Sequence, residues 1–174
     1  MNIRETADLT MAMVETGDTI TFDRGPIFDF HSVGGCPGNK ITLIVVPIVA
    51  AAGLIIPKTS SRAISSAAGT ADIIEVFADV NMDAHKLRTV AEKVGGTLAW
   101  GGSMSLSPAD DTIIKVEYPL GIDPHAQLLA SVMSKKKAAG ANCLVIDIPT
   151  GAGTKVPTIE EAQAFAALAE NNQQ

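Results

Sequence analysis

Three stretches of the chain combine glycines, hydroxyls and a cation, the set of groups needed to hold an anion. The first is Asp29-Phe30-His31-Ser32-Val33-Gly34-Gly35-Cys36-Pro37-Gly38-Asn39-Lys40. The second packs four serines, one threonine and Arg62 into the eleven residues from Ser60 to Thr70. The third is Gly151-Ala152-Gly153-Thr154-Lys155. Glycine lets the backbone approach a ligand closely, hydroxyls donate, and a helix N-terminus adds positive potential. Each stretch also has a plainer reading: a tight turn into a helix, a solvated loop with caps, an ordinary loop lysine. The first is not a Walker A loop, because Asn39 falls on its second glycine position and Ile41 replaces its Ser/Thr.

Asp123-Pro124 has the form of an N-cap followed by a proline at N1. The plainer reading of Asp123 is a helix cap; the functional one is a carboxyl group that donates a proton to a leaving base. Ser131 and Lys135 are one turn apart and share a face of the helix that follows. Lys135-Lys136-Lys137 reads as a solvated helix end that complements the dipole. His85 and Cys143 read as structural.

These residues need a scaffold, and the hydrophobic pattern supplies one. Helices are expected over Thr6 to Glu15, Asn39 to Ala52, Thr70 to Phe77, Asp83 to Val94, Pro124 to about Ala139, and Ile159 to Glu170. Strands are expected over Pro26 to Phe30, Leu54 to Ile56, Thr97 to Trp100, Thr112 to Tyr118, and Asn142 to Ile148, the last buried on both faces. Strands alternating with helices mean α/β, and ligands of such sheets sit in the loops that follow strands. The chain begins and ends in helices without a finishing element, which hints at a portion of something larger.

Composition narrows the functions. The 174 residues are 47% hydrophobic but only 4% aromatic, so the core is aliphatic. A net charge of −6 argues against a nucleic-acid surface, which needs clustered Lys and Arg. Cys36 and Cys143 have no metal-type or redox-type spacing, which fits a cytoplasmic chain with free thiols. The first ten residues lack the basic and apolar regions of a signal peptide. Ile41 to Pro57 is 17 residues without charge, but it reads as a buried helix and strand, not a membrane span.

Several motifs resemble the thymidine and pyrimidine-nucleoside phosphorylase family. Asp29 to Lys40 is similar to its D-K-H-S-x-G-G loop. Ser60 to Glu75, SSRAISSAAGTADIIE, is similar to S-G-R-x-L-x-x-T-G-G-T-x-D-x-x-E. The AMP phosphorylase branch is closer still, through G-G-x-P-G-N-K, VPIVAAAGLIIPKTSSRAISSAAGTAD, VEYPLGIDPHAQLLASVMSKKKAAGA and DIPTGAGTKV. The resemblance implies a three-layer-like α/β phosphorylase core with a mixed, largely parallel sheet over about 24–118 and 141–174. It implies helical-domain segments over about 2–17 and 123–139.

By position, the resemblance puts nucleotide and phosphate contacts on Gly35, Ser61, Arg62, Ala63, Ile64, Ser65, Ser66, Thr70, Ser131 and Lys155. It puts the proton donor on Asp123, and His31, Ser32 and Ser60 in the phosphate and ribose region. The implied reaction is AMP plus phosphate giving adenine and ribose 1,5-bisphosphate, in a cytoplasmic homo-oligomer, with no metal or organic cofactor and inorganic phosphate as co-substrate. A pyrimidine nucleoside phosphorylase and an inactive fragment that only binds nucleotide are the alternatives. Two positions depart from the family: Phe30 replaces the lysine of D-K-H-S, and Val116 stands where the thymidine enzymes have a base-reading arginine. Family members are several hundred residues long, and the chain resembles their middle portion.

Overall fold

The computed structural model describes residues 1–34, 36, 40–63, 69–122 and 124–171. In chain order the elements are α1 (Ile3–Glu15), β1 (Phe28–Ser32), α2 (Ile41–Ala51), β2 (Ile56–Ser60), α3 (Thr70–Glu75), α4 (Ala84–Val94), β3 (Gly96–Trp100), α5 (Pro108–Leu120), α6 (His125–Ala138), β4 (Cys143–Asp147) and α7 (Ile159–Asn171). This alternation is the α/β architecture expected. β1 pairs with β4, Phe28 opposite Cys143, and β2 pairs with β3, Ile56 opposite Gly96. Both pairs are parallel, and a parallel bridge between Ile27 and Ile55 sets β1 beside β2.

Local chemistry explains most of the boundaries. Asn2 caps α1 in a reciprocal capping box with Glu5. The Asp83 side chain accepts from the Lys86 N–H, and Gly95 ends α4 in the left-handed conformation at φ 87°. The uncharged stretch from Ile41 forms an 11-residue helix, α2, that packs Val46 against Phe30 of β1 and Ile56 of β2. No helix among the described residues is long and apolar enough to cross a membrane. α6 lies at the centre: Leu129 and Val132 meet Val156 and Phe165 of the C-terminal segment, while Ala138 meets Ile20, Leu87 and Leu106.

Five expectations are corrected. Thr112 to Tyr118 is helical, part of α5. The β-branched run suggested a strand, but Pro108 at the first turn, Asp110 and Asp111 beside it, and Gly121 at φ 63° are helix start and stop chemistry. The helix buries Asp110 and Glu117 and exposes Val116. The strand expected over Leu54 to Ile56 instead runs Ile56–Ser60, with Leu54 exposed. Hence Ser60, expected at the head of a loop, is a buried strand residue, together with Lys58 and Thr59. β4 is not buried on both faces: Val145 is 63% exposed. Pro124 is the N-cap of α6, not its first residue. β1 also lies later than expected, so His31 and Ser32 are in the strand and not in the loop after it.

Candidate active site

Side chains alternate across a strand, so Asp29 and His31 leave β1 on one face while Phe28 and Phe30 leave on the other. Phe30 packs on Val46 and Ile56. On the opposite face, α6 brings Ser131, Lys135 and Lys136 towards His31. A cavity of about 40 Å³ lies there, lined by His31, Ser60, Ser61, Ser131, Lys135 and Lys136 among others. The structure therefore gathers His31, Ser60, Ser61 and Ser131 from three separate segments.

Beneath the cavity lies a buried ionic cluster. The Lys136 ammonium sits 2.9 Å from Asp29 Oδ2 and donates to the Thr59 carbonyl at 2.7 Å. Lys58 donates to the same carbonyl at 2.6 Å. Burial, then the charge of Lys136, pushes the Lys58 amine well below the lysine range, with Asp29 opposing. A second cluster rests on Asp110, which is fully buried. It accepts from Ser131 Oγ at 2.7 Å and faces Lys135 Nζ at 2.6 Å, while Asp111 lies 3.3 Å from that ammonium.

His31 sits against these cations. Burial, reinforced by Lys58, Lys136, Lys155 and Lys135, holds it well below the ordinary histidine range. Its ring is therefore neutral near pH 7. Nδ1 is sealed from solvent and has no hydrogen-bond partner among the described residues. The charge of Lys155, in the third glycine-rich loop, also lowers the His31 pKa. That loop is closed by the Thr150–Val156 bridge and by Thr154 Oγ, which donates to Gly151 O at 2.8 Å.

Other expected residues lie elsewhere. Ser32 Oγ donates across the sheet to Asp147 Oδ2 at 2.7 Å. Thr70 begins α3 and is half-buried. The Arg62 guanidinium turns towards α3, where it meets Glu75 and Asp72. Ala63 directs its N–H to Asp72. Gly35, Ile64, Ser65, Ser66 and Asp123 lie outside the described residues.

Sequence reasoning missed the cations of α6. Lys135 and Lys136 are not a solvated helix end: Lys136 is 3% exposed, and of the three lysines only Lys137 is exposed. A signal existed in the spacing, since Leu129, Val132 and Lys136 recur on a helical period along the buried side. Asp29 opened a recognised motif, yet its partner is more than a hundred residues away and could not be read from spacing. The two cysteines are both free, as expected.

Hydroxyls, buried lysines and a neutral histidine thus gather at the ends of the parallel strands. Residues 24–172 match the glycosyl transferase family, a/b domain, and the chain belongs to that family. Within it, the chain is 60% identical over 158 residues to the AMP phosphorylase of Methanosarcina mazei, covering 91% of the chain and 31% of that protein. It is 59% identical over 166 residues to the AMP phosphorylase of Thermococcus kodakarensis, covering 95% and 33%. The chain thus spans about a third of the length of these relatives. Among solved structures, anthranilate phosphoribosyltransferase of Thermus thermophilus shares the fold with a TM-score of 0.71 and 23% identity, covering 95% of this chain and 49% of that one. The Saccharomyces cerevisiae enzyme gives 0.72 at 17% identity, covering 99% and 46%.

Proposed function

We propose that this chain carries the nucleotide- and phosphate-binding region of a nucleoside-monophosphate phosphorylase, a pentosyltransferase that converts AMP and phosphate to adenine and ribose 1,5-bisphosphate. The observation that carries this reading is the 59–60% identity to proteins named AMP phosphorylase across 91–95% of the chain. The gathering of His31, Ser60, Ser61 and Ser131 at one cavity supports it.

In this reading, phosphate attacks C1′ as the base departs. The C1′–O bond forms, the C1′–N bond breaks, and its electron pair leaves with adenine. Asp123 supplies the proton that neutralises the departing purine. Gly35, the segment Ser61 to Ser66 including Arg62, Ala63, Ile64 and Ser65, and Thr70 hold phosphate and nucleotide. Ser131 and Lys155 complete the nucleotide contacts, with His31, Ser32 and Ser60 towards the ribose and phosphate. Holding the nucleophile in line with C1′ supplies much of the acceleration in such a reaction.

The test is a comparison of free-base release from AMP, CMP and thymidine at equal phosphate concentration. Release from AMP should exceed that from thymidine, and preferential thymidine cleavage would assign the chain to the pyrimidine nucleoside enzymes instead. The protein is expected to work as a cytoplasmic homo-oligomer without metal or organic cofactor.

A further inference from the structure

Ser131 and Lys135 line the cavity, and Asp110 stands behind them. Asp110 lies in the first turn of α5 and is 0% exposed. Its Oδ2 accepts from Ser131 Oγ at 2.7 Å and faces Lys135 Nζ at 2.6 Å. The backbones on either side are pinned as well. Ser107, the N-cap of α5, directs its hydroxyl to the Met13 carbonyl of α1 at 3.4 Å. Ser134 Oγ lies 3.4 Å from Ser107 Oγ and donates to the Ser131 carbonyl at 3.1 Å. Hydroxyls thus tie α1, α5 and α6 around one buried carboxylate.

A carboxylate can only accept, so the proton in this hydrogen bond is that of Ser131. A serine hydroxyl has one proton and two lone pairs. With the proton given to Asp110, Ser131 Oγ offers a ligand lone pairs only. The Lys135 ammonium is committed too. It stands between Asp110 and Asp111, 3.3 Å from Asp111 Oδ1, so two carboxylates face one ammonium and this wall of the cavity carries no surplus positive charge. Phosphoryl oxygens are anionic and chiefly accept, and this wall gives them neither a hydroxyl proton nor a net cation. What suits it is a neutral hydrogen-bond donor, an N–H or an O–H.

We infer that Asp110 is a positioning residue that makes Ser131 a pure acceptor, so that Ser131 reads an N–H or O–H donor of the nucleoside part of the substrate and not a phosphoryl oxygen. The donor is an exocyclic amine of the base or a hydroxyl of the ribose. The inference rests on the proposed nucleotide chemistry. It gives a reason for a fully buried carboxylate that touches the cavity only through Ser131 and Lys135.

The test is calorimetry with AMP, with inorganic phosphate, and with AMP analogues that each lack one donor. Purine riboside 5′-monophosphate lacks the base amine, and 2′-deoxy-AMP and 3′-deoxy-AMP each lack a ribose hydroxyl. One analogue should bind the wild-type chain roughly tenfold more weakly than AMP, the worth of one hydrogen bond, and its identity names the group that Ser131 reads. Ser131→Ala should weaken AMP by a similar factor, cost that analogue nothing further, and leave inorganic phosphate within about twofold. Weaker phosphate binding in Ser131→Ala, or an equal loss for AMP and every analogue, would overturn the inference. Asp110→Asn leaves one oxygen for two donors, so its hold on Ser131 loosens, and AMP and the discriminated analogue should converge in affinity. An Asp110 that served only the fold would weaken every ligand together and keep their ratio, and that result contradicts a positioning role. The wild-type chain without ligand gives an independent readout. A Ser131 hydroxyl proton held by a buried carboxylate exchanges slowly with water and yields a proton NMR resonance that disappears in Ser131→Ala. Its absence from the wild type would sink the inference, whether or not Asp110→Asn folds. A wild-type chain that binds AMP without discriminating among the analogues would also sink it and leave the proposed function standing. One that binds neither AMP nor phosphate would defeat the proposed function, and the hydroxyl resonance would still decide whether Asp110 holds the Ser131 proton.

Discussion

Lys136 and Asp29 are buried together, at 4% and 1% side-chain exposure, and neither has water to fall back on. Removing one partner leaves an uncompensated charge in the interior. Lys136→Met should cost about 3–5 kcal/mol by urea unfolding. A loss under about 1 kcal/mol would mean that the pair is solvated. His31 gives a pH signature. The unfolded chain takes up a proton at the ordinary histidine value, 6.5, whereas the folded protein resists it. Stability from this group is complete above that pH and declines as pH falls below it. His31→Gln should flatten that part of the stability curve. Phe30 answers the question raised by its departure from the family lysine. It points to the α2 face and packs on Val46 and Ile56. Phe30→Lys should therefore destabilise the fold by about 2–4 kcal/mol without tightening phosphate binding. Stronger phosphate binding by that variant would show that position 30 reaches the site.

At the scale of elements, α5 is the sharpest test of local reasoning. Val116 is 57% exposed on a helix. Val116→Ala should be neutral to stabilising by up to about 0.6 kcal/mol, since alanine is the better helix former. A strand over Thr112 to Tyr118 would lose stability instead. The ion pairs that Arg62 makes with α3 carry their own pH dependence. Arg62 holds Glu75 below its ordinary 4.5. Burial pushes Asp72 up, but the N–H groups of Gly69 and Ala63, together with Arg62, outweigh it and hold it below 3.8. Their contribution is complete above these values and is lost as pH falls through the lower folded ones. Helices with caps at both ends, such as α4, were legible because Asp83 and Gly95 each perform a local job. Strand ends were not legible, because a parallel strand stops where its partner stops. β1 and β2 were each displaced towards their C-terminal ends by partners distant in sequence, and this displacement carries His31 and Ser60 into the sheet.

At the scale of the molecule, the α/β architecture was readable from alternation alone, and His31, Ser60 and Ser61 of the cavity from its hydroxyl-rich segments. The buried lysines were not readable, since pattern arguments assign a run of lysines to solvent and only tertiary packing brings Lys136 to Asp29. The chain spans about a third of its relatives, and their whole activity is here a proposal. The most direct test is release of adenine from AMP by the 174-residue chain, with and without phosphate, compared with Asp123→Asn. The account predicts adenine only when phosphate is present, with ribose 1,5-bisphosphate formed in equal amount and release suppressed in the variant. Adenine release that persists without phosphate, or is undiminished in Asp123→Asn, would contradict it.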